Sequence, residues 1–167
     1  MPFTEDIPLV QLIIVRHGPA GEHLDDPVED ARRSLTSKGR KQTRRAMKGI
    51  ANIVPSPMRI LTSPLPRASE TAQLLLAAVN QGLIAEDERL APEGDGRALI
   101  NQIKDGWGVI AIVGHDPELS MLTSMLPTGG QTTFVALDKG GAAALTYAGG
   151  VWTLDWLATR DQLAAQR

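Results

Sequence analysis

Two short runs of the chain are almost wholly apolar and rich in β-branched residues: Val10 to Val15 and Val109 to Val113. Such runs predict strands buried on both faces, as in a parallel sheet. Met58 to Thr62, "MRILT", predicts a third. Between them the apolar period lengthens to that of a helix. In "SKGRKQTRRAMKGIANIV", Thr43, Ala46, Met47, Ile50 and Val54 form one stripe with basic residues opposite, the pattern of a helix laid on a sheet. "RASETAQLLLAAVN" places Ala68, Thr71, Ala72, Leu75 and Val79 on a similar stripe, with a stop at Gly82. "DGRALINQIKDG" and "PELSMLTSML" predict two further helices, the second with Pro117 in its first turn.

This alternation predicts a layered α/β domain. Near the end the pattern changes: "AALTYAGGVWTLDWL" holds two β-rich runs joined by Gly149-Gly150, a hairpin signal that adds antiparallel strands. Strict alternation would put Trp152 and Trp156 on one strand face, packed on a helix. "EHLDDPVEDARR" reads as a charged surface loop with some helix, and "GIANIVPSP" and "GGQTTF" as connections.

At 167 residues and 43% hydrophobic content, one domain over 1–167 is expected. A chain of that size hides roughly 70% of its unfolded surface. The net charge of -2 argues against a nucleic-acid partner, which demands a basic face. "RKQTRR" is four basic residues on one helix and fits a solvated face. Without cysteine there is no disulfide framework, thiolate metal site or cysteine nucleophile. The acidic start "MPFTEDIPLV" and the lack of a run near the ~20 residues that span a bilayer suggest a cytoplasmic protein without a membrane partner. His23 beside Glu22, Asp25 and Asp26 superficially resembles a metal cluster but fits a solvated run better, so no metal site is expected.

The ends of the predicted strands carry the chemistry. In open α/β sheets, ligands bind beyond the carboxyl ends of the strands. The first strand delivers Arg16, His17 and Gly18, the second Ser63 and Arg67 in "ILTSPLPRASE", the third Gly114, His115 and Asp116 in "IAIVGHDPELS". Two of the chain's three histidines thus follow directly on buried strands. Two arginines and two histidines at one sheet edge repel unless an anion lies among them, and a phosphoryl group meets that need. The planar arginine fork grips phosphate oxygens and stays protonated. A neutral imidazole can attack phosphorus and form a covalent phosphoenzyme. Gly18 lets backbone pass close to the bound group.

"RHG" after a hydrophobic strand, then "TSPLPRASETA", then "VGHDPELS", resembles the histidine phosphatase (phosphoglycerate mutase-like) superfamily. The short length, "RRSLTSKGRKQ" and "LAPEGD" are most similar to its SixA-type phosphohistidine phosphatase branch. The resemblance implies a three-layer α/β/α sandwich with a mostly parallel sheet and antiparallel strands at the C-terminal end. It implies His17 as nucleophile, Arg16 and Arg67 as the phosphoryl clamp, and His115 as a hydrogen-bond donor to an oxygen in the transition state. It also implies hydrolysis without metal or cofactor, on a phosphorylated protein or a small phosphorylated metabolite, the alternative outside the enzymes being a non-catalytic phosphate-binding module.

Other positions stay open. Arg33 is either a pocket arginine or a surface charge beside Arg32. Ser63 either orients Arg67 or starts the turn at Pro64. Larger family members protonate the leaving oxygen with a carboxylic acid, and "ERLAPEGDGR" offers Glu93 and Asp95, with Asp116 a third candidate. Asp95 also suits a helix N-cap, which leaves Glu93 as the candidate acid. An alkoxide leaving group gains ~10²- to 10⁴-fold from such an acid. The imidazole leaving group of phosphohistidine needs less, which favours that substrate.

Overall fold

The computed structural model describes residues 9–106 and 108–167. The chain runs β1 (Val10–Arg16), α1 (Pro27–Ala31), α2 (Ser37–Ile53), β2 (Met58–Thr62), α3 (Pro66–Ala78), β3 (Gly82–Glu86), α4 (Gly96–Ile103), β4 (Gly108–Gly114), α5 (Glu118–Thr128), β5 (Ala142–Ala148), β6 (Val151–Ala158) and α6 (Arg160–Ala164). The six strands form one sheet ordered β3-β2-β4-β1-β5-β6. β3, β2, β4 and β1 are mutually parallel, while β5 and β6 run antiparallel, as the Gly149-Gly150 signal predicts.

The doubly buried strands split their side chains between two cores. Ile13 and Val15 of β1 face α2, α3 and α6, packing with Met47, Ile50, Leu75 and Leu163. Leu12 and Ile14 face α4 and α5, packing with Leu99, Ile100, Leu119 and Leu122. The result is the expected α/β/α sandwich. The sheet's period of two thus explains why β1 reads as a continuous apolar run.

Helix ends follow capping chemistry. The Thr36 side chain accepts from the Gly39 N–H to start α2, and Thr159 and Gln162 form a capping box on α6. Asp95 caps α4 by accepting from the Ala98 N–H at 3.0 Å, the role its position suggests.

Several expectations are corrected. The stripe through Val79 stops earlier than predicted, at Ala78, and β3 follows from Gly82 as a short edge strand, so its single-residue apolar alternation is weak. The two tryptophans lie on opposite faces: Trp152 joins the core against α4 and α5, whereas Trp156 packs on the other core. The cause is a bulge. Ala144 pairs with Trp156 and Leu145 with Leu154, leaving Asp155 as the extra residue that inverts the alternation. The charged segment is a surface loop with the short helix α1, as read, but it buries Asp30 at 8% exposure. No helix among the described residues is long and apolar enough to cross a membrane.

Candidate active site

The site is assembled by strand register. Arg16 pairs with Gly114, and the ladder continues one step, with the His17 N–H donating to the Gly114 carbonyl at 3.0 Å. This brings the residues after β1 and β4 side by side, and the His17 and His115 rings stand 5.2 Å apart between centroids. On the other flank the Ser63 N–H donates to the Val113 carbonyl at 2.9 Å, extending the β2–β4 ladder. Ser63 therefore arrives beside His115. Arg67 comes from the first turn of α3, within reach because only Ser63–Leu65 separate that helix from β2.

Gly18 admits α2 to this edge. A Cβ there would lie 1.9 Å from Thr43 Oγ1 and 3.2 Å from Leu35 Cδ2, so any larger residue must displace the Thr43 side chain. The Gly18 N–H donates to Thr71 Oγ1 at 3.0 Å, and the Thr71 hydroxyl donates to the Arg67 carbonyl at 2.8 Å. The strand-end loop is thereby tied to α3 and its arginine.

Hydrogen bonding sets the state of both imidazoles. His17 Nδ1 lies 2.7 Å from the Gly18 carbonyl oxygen. A carbonyl only accepts, so Nδ1 carries the proton and Nε2 holds the lone pair. Burial, reinforced by the nearby His115, Arg67 and Arg16, pushes the His17 pKa down to about 3 against the opposing pull of the Gly18 carbonyl. His115 is pushed down to about 4, first by burial and then by Arg67, Arg16 and Arg33. Both rings are neutral at pH 7. His115 Nε2 meets Ser63 Oγ at 2.8 Å, and that oxygen already accepts from the Leu65 N–H at 3.2 Å. The Ser63 hydroxyl is best satisfied by donating to Nε2, which leaves the proton on Nδ1.

Each arginine is held by an anchor of its own. Arg16 Nη1 donates to the Leu137 carbonyl at 2.9 Å and lies 3.7 Å from Asp116 Oδ2. Arg67 Nη1 donates to the Asp30 carbonyl at 3.2 Å. Arg33 belongs to the same cluster: its Nε donates to Asp30 Oδ1 at 2.7 Å, and its Nη1 to the Ala20 and Gly21 carbonyls at 3.0 and 3.1 Å. Three nitrogens of the cluster, Arg16 Nε, Arg67 Nε and His115 Nδ1, are buried without a partner among the described residues. Hydrogen-bond donors are seldom buried unsatisfied, and a tetrahedral oxyanion is the species that three such donors in one cluster suit.

The candidate acids fare differently. Both Asp116 oxygens are engaged, Oδ1 by the Ser120 N–H at 3.0 Å and Oδ2 by the Ser120 hydroxyl at 2.7 Å. Asp116 is thus tied to the first turn of α5 and lies beside Arg16. Asp95 is the cap described above. Glu93 is exposed, has φ of 65°, and donates its backbone N–H to Glu118 Oε1 at 2.9 Å. Ser63, expected to serve Arg67 or the turn, serves His115 as well as the turn. His23 pairs with Asp30 at 3.1 Å, and among the described residues no group of three or more metal-ligating side chains comes together.

Asp30, Thr71 and Leu137 were not legible as site residues. The i,i+3 spacing of Asp30 and Arg33 was the one available signal for the first. Nothing in the sequence marks a backbone carbonyl such as that of Leu137.

Comparison with known proteins supplies a family. The model of the histidine phosphatase superfamily (branch 1) matches residues 12–91. An uncharacterised protein of Picosynechococcus is 30% identical over 141 residues, 81% of this chain and 84% of its own. Among solved structures, a protein histidine phosphatase SixA complexed with tungstate superposes with TM-score 0.76 at 23% identity, covering 92% of this chain and 99% of that one. A phosphoglycerate mutase from Bacillus anthracis gives TM-score 0.73 at 18% identity, covering 95% and 97%. At such identities these structures establish the shared fold.

Proposed function

Since the chain belongs to the histidine phosphatase superfamily, we propose that it is a phosphatase in which His17 takes the phosphoryl group and water then releases it. The observation that carries this reading is the fixed tautomer of His17. Its Nδ1 proton is held by the Gly18 carbonyl, so Nε2 presents a lone pair beside His115 and the arginines. Nucleophilic attack by Nε2 on phosphorus forms an N–P bond as the bond to the leaving group breaks. Arg16, Arg67 and His115 Nδ1–H receive the charge on the equatorial oxygens, and Gly18 lets the backbone approach them. In the second half, water attacks the phosphohistidine in line and His17 Nε2 departs as a neutral imidazole. None of these steps draws on a metal or cofactor.

Two observations favour a protein-borne phosphohistidine as substrate, the reading closest to the SixA branch. The links after β2 and β4 at the site edge are the short segments Ser63–Leu65 and His115–Pro117, which leave no lid domain there to enclose a small molecule. The Asp116 carboxylate is engaged by Ser120 and that of Asp95 caps α4, which suits an imidazole leaving group better than an alkoxide. The fold shared with the phosphoglycerate mutase favours the second reading, a small phosphorylated metabolite with Glu93 as acid.

Steady-state rates on a histidine-phosphorylated phosphotransfer domain and on a panel of phosphate monoesters separate the two. The first reading expects kcat/KM at least 100-fold higher on the protein, with no loss in Glu93→Gln. Preference for a monoester together with loss in Glu93→Gln would establish the second. His17→Ala is expected to abolish turnover of either while retaining the wild-type circular dichroism spectrum. Full activity in that variant refutes both.

A further inference from the structure

Asp30 stands out among residues the proposed reaction leaves unused. It belongs to the short helix α1 in a highly charged segment, yet it is buried where its neighbours Glu29 and Ala31 are more open. Its carboxylate Oδ1 accepts from the Leu24 N–H at 2.9 Å and from Arg33 Nε at 2.7 Å, and lies 3.1 Å from His23 Nδ1. Its Oδ2 lies 4.0 Å from Arg67 Nη2, while its backbone carbonyl accepts from Arg67 Nη1. One residue therefore engages two guanidinium groups by both its main chain and its side chain. Among the described residues, that carbonyl is the only hydrogen-bond partner of the Arg67 guanidinium.

The need for such a residue follows from charge. Arg67 is buried, and burial together with the neighbouring Arg33 charge disfavours its protonated form, while Asp30 favours it. Two like charges this close separate into alternative rotamers unless a counter-charge holds them. The Leu24 N–H and Arg33 keep the Asp30 carboxyl well below the usual carboxylate range, at about 2, so the counter-charge persists at any working pH.

We infer that Asp30 is a positioning residue that holds Arg33 and Arg67 as a paired clamp for the phosphoryl oxygens. This inference rests on the phosphatase reading of the site. It makes a prediction whose sign opposes simple electrostatics. Removing a carboxylate makes the cluster one charge more positive, and attraction alone would tighten the hold on any oxyanion. If Asp30 acts by holding geometry, the same change weakens it, because a misplaced arginine forfeits its paired hydrogen bonds.

The test is Asp30→Asn, which keeps size and one acceptor but removes the charge. Tungstate is the probe, its dissociation constant read by calorimetry alongside kcat and KM for the phosphorylated substrate. We expect the tungstate constant to rise at least tenfold and kcat/KM to fall 10- to 100-fold, with much of the loss in kcat. A purely structural role would lower the active fraction and leave KM and the tungstate constant of the folded molecules unchanged. Equal or tighter tungstate binding by folded Asp30→Asn overturns the inference. Glu29→Gln, which removes an exposed acidic charge of the same helix outside the cluster, is expected to stay within twofold in both measurements; a loss matching that of Asp30→Asn also overturns it. Should Asp30→Asn fail to fold, Asp30→Glu displaces the carboxylate while keeping its charge, and undiminished tungstate affinity there is the overturning result. A wild-type protein that binds tungstate but hydrolyses no phosphorylated substrate defeats the phosphatase reading alone, since the tungstate comparison still judges Asp30.

Discussion

Ser63→Ala probes how the site chooses the proton position on His115. Ser63 is fully buried just after β2, its hydroxyl at 2.8 Å from His115 Nε2, and it also accepts from the half-buried Leu65 N–H at 3.2 Å. Truncation leaves the ring nitrogen buried and unpaired and strips the half-buried N–H of its acceptor. Each buried polar group left unsatisfied costs about 1–3 kcal/mol. The imidazole then has no partner that favours the Nδ1–H tautomer. A ring protonated on Nε2 would turn a lone pair toward the phosphoryl oxygens in place of a donor. If the lost donation in the transition state has the same magnitude, the rate falls about 5- to 150-fold at roughly 1.4 kcal/mol per decade. The assay is kcat/KM on the phosphorylated substrate, with ¹⁵N NMR of the His115 ring as an independent reading of the tautomer. In the wild type the proton should be found on Nδ1. A variant retaining more than half the wild-type kcat/KM, or a wild-type ring protonated on Nε2, would refute the assignment.

Other expected outcomes concern packing and pH. Gly18→Ala drives a Cβ to within 1.9 Å of Thr43 Oγ1, a clash that overpacking data value at about 1–3 kcal/mol. Adding Thr43→Ala should recover at least half of that loss in urea unfolding, and strict additivity of the two changes would contradict the clash. His17 and His115 are neutral in the fold, with pKa values pushed down to about 3 and 4 from 6.5. The unfolded chain therefore binds more protons than the native one below about pH 6.5. Their contribution is fully present above that pH and is lost as pH falls, at about 2–3 kcal/mol per pH unit once both are charged in the unfolded chain. Urea midpoints at pH 7, 6 and 5 should decline accordingly. A midpoint unchanged down to pH 5 would mean that both rings are already charged in the fold.

The architecture was legible where the apolar period was long and clean. The runs at Val10 and Val109 became central strands because burial on both faces demands unbroken apolar sequence. β3 escaped notice because an edge strand needs only a partial apolar face, and "GLIAE" supplies little more. The tryptophan pair misled for a different reason. A single bulge at Asp155 inverts the period of two, and nothing local announces it.

The site was legible in its side-chain chemistry and not in its supports. Strand ends reveal which residues reach the sheet edge, so Arg16, His17, Arg67 and His115 could be named together. Arg33 stood open between pocket and surface until Asp30 was seen to hold it. Asp30 itself was hidden among exposed acids, since burial of a carboxylate depends on long-range packing. The tautomers of both histidines depend on a carbonyl and a hydroxyl whose placement is a product of register.

The central claim is that His17 Nε2 becomes covalently phosphorylated within a cluster of arginines and a second imidazole. Rapid acid-free quenching during turnover of a ³²P-phosphorylated substrate, followed by peptide mapping, tests it most directly. The account predicts an acid-labile, alkali-stable phosphoryl label on His17, absent from His17→Ala and never found on His115. Steady turnover with no label on the protein at any quench time, or a label mapping to His115, would contradict it.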